Sequence, residues 1–512
     1  LQKEKRRLAA FAKTALLQPK EEQVLELSFR ISLLESYHSG RSSYLLEAGD
    51  YYLFTGCDLE KSRISACLHL DETLVMQKLK PICPLLDALS ERKTSPEDAA
   101  LWREEMGREA DERRIPVLDM KGQALLAKEF DETVLDKSRA KLVRGRNEED
   151  ARAQELVNRL SEEEMVSLAC GNPGSAHTEF IGNAAITVPG AAGETSGMLE
   201  EKYGIGHMVL ADGPAGLRIH RRYEVDPENG SIYSMKPYEM LENRFFGKEF
   251  RREGAEVRYQ FCSAIPVGTL LAQTFDRELM ERIGDLIGGE MEEYYITVWL
   301  APGMNIHRDP MCGRNFEYYS EDPLVSGMMA AAVTKGVQKH PGIGTCLKPF
   351  ACNNQEENRR GVSSIVSERA LREIYLKGFE LAVKEAQPMA IMTSYNKING
   401  VHTANSAGLC TTAAREEWGF EGIIMTDWTT TNTGGGSSAA KCVRAGNDLV
   451  MPGRYSDLKE ITDALHGEND QYLEEEDLRD CARRMIRTIL RYSCYEDPGS
   501  YTDQKELYTY MK

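Results

Sequence analysis

The sequence predicts an α/β fold: a TIM-like (β/α) barrel over residues 151–512, preceded by a small β domain over 1–80 and a charged helical connector over 81–150. Two observations predict it. From about residue 151 short apolar runs alternate with amphipathic stretches, the rhythm of a parallel sheet whose crossovers are helices. Before residue 80 apolar side chains instead recur at every second position, as on strands with one buried face.

In the first segment Leu25, Leu27 and Phe29 alternate with polar partners, as do Ile64, Ala66, Leu68 and Leu70. Glu47-Ala48-Gly49-Asp50 reads as a turn into Tyr51-Tyr52-Leu53-Phe54. These make about four strands, fewer than the roughly seven of a complete immunoglobulin-like sandwich, so the domain reads as incomplete. The connector, dense in charge as at Glu109-Ala110-Asp111-Glu112-Arg113-Arg114, reads as solvated helix wrapping the next domain. A capping box at Ser161-Glu162-Glu163-Glu164 then starts a helix. The expected barrel strands are Met208-Val209-Leu210, Ala264-Ile265-Pro266-Val267, Thr297-Val298-Trp299-Leu300, Thr345-Cys346-Leu347, Ala390-Ile391-Met392, Ile423-Ile424-Met425 and Leu449-Val450-Met451. Helices are expected over 276–293 and 367–386. That is one strand short of a regular barrel, so irregular closure is expected; a doubly wound open sheet fits the same alternation.

Composition narrows the function classes. The 512 residues carry 81 acidic and 63 basic side chains, which argues against a nucleic-acid footprint. Twelve cysteines are scattered singly, without Cys-x-x-Cys or zinc spacing, so free thiols in a reducing, cytoplasmic compartment are expected, with no metal and no cofactor. No run approaches the ~20 apolar residues of a membrane span. The chain starts at Leu1 without an initiator Met or a signal-peptide pattern, as a chain beginning mid-protein would.

The strand ends carry the chemistry. In a (β/α) barrel the functional groups sit at the C-terminal ends of strands. Here those ends read Asp212-Gly213-Pro214, then Asn305, His307, Arg308 and Asp309 with Gly313-Arg314-Asn315-Phe316-Glu317, then Lys348, Tyr395-Asn396 and Asp427-Trp428. Each has a plainer reading when taken alone: Asp427 a helix N-cap, Asp212 a turn former, Arg314–Glu317 a surface ion pair, Lys348 a solvated loop residue, Tyr395 a filler under the rim. His307 and Arg308 read as supports. Together, charged and amide groups converging on one rim favour a polyol ligand. An anion beside a flat indole suits a sugar-cleaving site, because the anion can face the anomeric carbon while the aromatic covers the ring. Gly434-Gly435-Gly436 lacks the Lys of a phosphate-binding loop and reads as a rim loop. No Gly-x-Ser-x-Gly elbow accompanies a His/Asp set.

These stretches resemble glycoside hydrolase family 3. The similarity runs in order through 210–218, 305–310, 313–323, 394–400, 422–428 and 445–449, stretches spread over most of 151–512. The resemblance implies a retaining β-glycosidase with Asp427 as nucleophile. Asp212, Arg314 and Lys348 would hold sugar hydroxyls, Tyr395 would lie beside the nucleophile, and Trp428 would pack on the sugar. A β-glucosidase is the first reading; β-xylosidase or α-L-arabinofuranosidase specificity, or a non-hydrolytic sugar-binding protein, are the alternatives.

The first segment is similar to part of a fibronectin-III-like β-sandwich placed before the barrel, as in the family's reversed architecture, where an α/β sandwich domain comes first. That sandwich is absent from this sequence. Because it supplies the general acid in multidomain members, the acid is expected on a complementary fragment, the chain's expected partner beside its glycoside substrate; a homo-oligomer is compatible with the sequence. Glu317 and Glu356, the carboxylates near the rim, read as binding or scaffold groups. Two departures stand out. The family's Lys-His pair is Lys348-Pro349 here, which removes a hydroxyl donor, and Gly206 replaces a frequent Pro. The His/Asp dyad of the N-acetylglucosaminidase branch is not present near Lys348.

Overall fold

The computed structural model describes residues 4–87, 89–90, 94–134, 147–174, 185–233, 246–247, 251–431 and 436–492. These fold into two units, one of residues 1–140 with 366–373, the other of 141–365 with 374–512.

In the first unit two three-stranded sheets form. One joins Ser36–His38, Ser43–Leu46 and Leu74–Lys78; the other joins Gly49–Thr55, Arg63–Leu70 and Val117–Asp119. The expected strands at 51–54 and 64–70 are therefore present. The alternation at Leu25, Leu27 and Phe29 is not a strand: Leu25 and Leu27 stay exposed, so the period marks no buried face. Helix Pro96–Arg113 starts at Ser95, whose hydroxyl accepts from the Asp98 N–H at 3.0 Å. Its Met106 and Ala110 pack on Ile64, and Met120 and Ala124 join Tyr37, Tyr44, Leu46 and Leu70 in one core. The charged segment thus contributes a strand and two helices to this unit.

In the second unit a six-stranded sheet runs in the order Ile423–Met425, Ala390–Thr393, Gly344–Phe350, Val298–Trp299, Val209–Ala211, Gly193–Glu194. Its neighbours are parallel except the last pair. Two bridging segments complete the circuit: Leu449 pairs with Met425, Val450 with Cys170, and Gly171 with Thr195. The sheet therefore returns to its start through eight segments, one of them antiparallel, and is closed where an open sheet would have two edges.

Two of these segments correct the sequence reading. Cys170-Gly171 and Gly193-Glu194 show no apolar run because their backbones approach too closely to carry one. A Cβ on Gly171 would lie 2.0 Å from the Pro452 carbonyl oxygen, and one on Gly193 would lie 2.7 Å from Met451 Cε. Conversely, Ala264-Ile265-Pro266-Val267 is not a barrel strand. Pro266 has no N–H for a ladder, most of the segment is solvent-facing, and it leads into helix Gly268–Ala272.

The helices fill the crossovers. Arg277–Glu293 starts at the Asp276 cap, whose carboxylate accepts from the Leu279 N–H at 2.9 Å. Pro323–Val337 is almost wholly buried. The run from Glu368 to Ala386 contains a π-helical turn at Leu371–Tyr375. The Ser161–Glu164 capping box forms as expected, with both reciprocal bonds present. No helix of the described residues is long and apolar enough to cross a membrane.

Candidate active site

Strand Val209–Ala211 ends at Asp212, whose carbonyl accepts from the Arg218 N–H at 2.8 Å and closes a tight loop. The Asp212 carboxylate accepts from Arg218 Nη2 at 2.7 Å and from the Lys348 ammonium. Lys348 lies within strand Gly344–Phe350 and is 6 % exposed, so it is no solvated loop residue. Burial alone would raise the Asp212 pKa, but the Lys348 and Arg218 cations outweigh it and hold the carboxyl at about 2.

Beyond Val298–Trp299 the chain is bolted to the next loop by Asn305. Its Nδ2 donates to the Pro349 carbonyl at 2.7 Å, and its Oδ1 accepts from the Asn353 N–H at 3.0 Å. Arg314 then donates through Nε to Glu317, and its Nη1 lies 3.9 Å from Glu356. This is an ion pair, as its spacing suggested, but a largely buried one with a third member. Glu356 also accepts from Asn353 Nδ2 at 2.8 Å and Arg359 Nη1 at 2.8 Å. Burial opposes the Arg314 charge, yet Tyr318, Glu317 and Asp427 carry its pKa well above the ordinary value. His307 donates to the Asn315 carbonyl at 2.9 Å and so braces the turn that carries Arg314. The Arg308 charge opposes the rise that burial imposes on the Tyr375 hydroxyl pKa.

Strand Ile423–Met425 leads to Asp427, which is half-buried; its Oδ1 accepts from the Trp428 N–H at 2.7 Å. Burial pushes this carboxyl up, against the pull of Arg314, Lys348, the Trp428 N–H and the Tyr395 hydroxyl. The Tyr395 hydroxyl donates to the Trp428 carbonyl at 2.8 Å, and burial together with the Asp427 charge raises its pKa. The Trp428 indole is 4 % exposed, with Nε1 donating to the Ala192 carbonyl at 3.0 Å in the sheet wall.

Asp212, Arg314, Lys348, Tyr395 and Asp427 are thus one electrostatically connected cluster, with Trp428 set into the wall beside it. The sequence reading gave no role to Arg359 and Arg360, whose guanidinium carbons lie 4.6 and 5.2 Å from the Tyr395 ring centroid. Their one signal was adjacency to Glu356 and Glu357. Of the rim loop at 434–436, Gly434 and Gly435 lie outside the described residues. Chemically, the cluster offers an anion of raised basicity amid fixed cations and acceptors, a setting for nucleophilic attack beside a hydroxyl-rich ligand.

Residues 249–488 match the model of the family described as "Glycosyl hydrolase family 3 N terminal domain". β-Glucosidase A of Butyrivibrio fibrisolvens is 32% identical over 479 residues, spanning 88% of this chain and 50% of that protein. Among solved structures, a β-glucosidase from Paenibacillus barengoltzii is similar at a TM-score of 0.69 and 30% identity, over 95% of this chain and 49% of that one. β-Glucosidase 3B from Thermotoga neapolitana, in complex with glucose, is similar at a TM-score of 0.55 and 40% identity, over 70% of this chain and 46% of that one. The chain spans about half the length of the curated relatives it matches.

Proposed function

The chain belongs to glycoside hydrolase family 3, and from that premise we propose that it is the nucleophile-bearing part of a retaining, exo-acting β-glucosidase. The observation that carries the reading is the Asp427 carboxylate, held by the Trp428 N–H in the shared field of Arg314 and Lys348. In the first displacement Asp427 attacks the anomeric carbon while the bond to the leaving oxygen breaks and that oxygen takes a proton. In the second, water hydrolyses the glycosyl–Asp427 ester, returning the sugar and the carboxylate. Asp212, Arg314 and Lys348 bind the ring hydroxyls, bonds that strengthen as positive charge develops on the ring. Tyr395 orients Asp427, and Trp428, set into the wall beside it, packs on the sugar.

The general acid is placed on polypeptide outside these residues, a complementary fragment. Its support is that Glu317 and Glu356 are committed to Arg314, Arg359 and Asn353 and so are poorly free to deliver a proton. The two three-stranded sheets of the first unit are read as the fibronectin-III-like part, and the second unit as a TIM-like barrel. A reducing, cytoplasmic location belongs to the same reading, supported by cysteines scattered singly along the sequence.

The test compares a dinitrophenyl β-glucoside with an alkyl β-glucoside on this chain, with intact mass listing the polypeptides present. Dinitrophenolate leaves without protonation and needs Asp427 but no acid. Cleavage of the activated substrate alone is expected. Cleavage of both would place a competent acid in the preparation. Cleavage of neither, with glucose still bound, would favour a non-hydrolytic sugar-binding protein; without glucose binding it would favour another sugar, such as a xyloside or arabinofuranoside.

A further inference from the structure

Thr429 lies in the left-handed region, at φ 61°, two residues after Asp427. Branched residues rarely adopt this conformation, so the surroundings must impose it. Two bonds do so here. The Thr429 N–H donates to the Met451 carbonyl at 2.9 Å, and its Oγ1 accepts from Arg360 Nη2 at 2.6 Å.

Arg360 also reaches Tyr395, whose hydroxyl holds the Trp428 carbonyl. The peptide joining Trp428 to Thr429 is therefore gripped on its carbonyl by Tyr395 and on the following side chain by Arg360. The neighbouring Arg359 faces a different task, since its guanidinium is bonded to Glu356. The loop fixes which arginine does which. Gly361 and Val362 N–H groups donate to the Asn358 carbonyl at 2.8 and 2.9 Å. Ser363–Ser364 then pairs in parallel with Lys397–Ile398, just past Tyr395. That register carries Arg360 over the Tyr395 ring and onto Thr429.

We infer that Arg360 is a positioning residue for Asp427: by bonding Thr429 it holds the turn 427–429 in a conformation the turn would otherwise leave. If Thr429 relaxes, the 428–429 peptide rotates and takes the Trp428 carbonyl off Tyr395. The Trp428 unit that supplies the N–H on Asp427 Oδ1 is then released as well. Arg360 touches no reacting atom in this scheme. The inference rests on the reading of Asp427 as nucleophile.

The experiment uses R360A, T429V, T429G and the double variant R360A/T429G. The readouts are rates on the dinitrophenyl β-glucoside and hydrogen exchange of the segment 426–430. R360A is expected to lower kcat by about tenfold or more with KM nearly constant, and to speed exchange of the Thr429 amide about tenfold. Thr429→Val, which stays branched but loses the oxygen, should do the same. The double variant should regain most of the rate lost in R360A, because glycine holds a positive φ without help.

A double variant as slow as R360A would overturn the inference, since Arg360 would then act by charge or by substrate contact. Unchanged exchange in both R360A and T429V would also overturn it. If R360A fails to fold, the opposite behaviour of Val and Gly at 429 decides. Turnover retained in Asp427→Asn would instead sink the nucleophile reading, while the exchange arm still reports whether Arg360 holds Thr429.

Discussion

Lys348 reaches past one intervening strand to donate its ammonium to Asp212, joining the ends of two strands at one rim of the sheet. Both groups are largely buried, so neither charge is cheap without the other. The linkage has a definite sign. The folded Asp212 carboxyl titrates at about 2, below its ordinary value of 3.8. Its stabilisation is therefore complete above that ordinary value and is lost as pH falls through about 2. Asp212→Asn should cost on the order of 2 kcal/mol at neutral pH and progressively less in acid. Denaturant midpoints of both proteins from about pH 2 to about pH 7 would check this, and a pH-independent gap would refute it.

Asp427 carries the opposite displacement. Burial raises its pKa, so the carboxylate needed for attack is lost at a higher pH than for an exposed aspartate. The acid limb of kcat/KM on an activated glucoside should lie above pH 3.8. Arg314→Gln removes a cation that pulls this pKa down and should move the limb further up. A limb that stays put or moves down would mean another group controls it.

Tyr395→Phe keeps the ring beneath Arg359 and Arg360 but removes the hydroxyl that holds the Trp428 carbonyl. A hydrogen bond between neutral groups is worth ~0.5–1.5 kcal/mol, so kcat should fall by roughly 2- to 10-fold. Sugar affinity should change little, because the hydroxyl-binding groups are elsewhere. Equal loss in Kd for glucose and in kcat would assign Tyr395 to substrate binding instead.

How much of this was legible follows from what each residue must do. Ile423–Met425 and Ala390–Thr393 could be read because interior strands must be apolar on both faces, and their terminal polar residues then mark the rim. Cys170-Gly171 and Gly193-Glu194 could not be read, because close approach to Pro452, Met451 and Trp428 requires glycine, which has no hydropathy signature. Ala264–Val267 misled for the converse reason: most of it is solvent-facing and it leads into a helix. Arg359 and Arg360 sit well past a strand end, and only the pairing of Ser363–Ser364 with Lys397–Ile398 brings them over Tyr395. Short-range pattern carries no trace of such a pairing.

Asp448 tests the support beneath the site. It precedes the bridging segment at Leu449, is 0 % exposed, and accepts from Arg415, from Arg484 Nε at 2.6 Å and from the Ile424 N–H at 2.9 Å. It thus ties the last segment of the closed circuit to the strand that ends at Asp427. Burial pushes the Arg415 guanidinium down to about 10 even with this anion in place. Asp448→Asn would take from Arg415 and Arg484 the one carboxylate they share, a loss of about 3–5 kcal/mol. For a unit of this size that corresponds to a fall in Tm of very roughly 6–20 °C. Activity per folded molecule should be preserved at low temperature, since Asp448 lies away from the rim cluster. A Tm within about a degree of the parent would show that the two guanidinium groups are satisfied without the carboxylate.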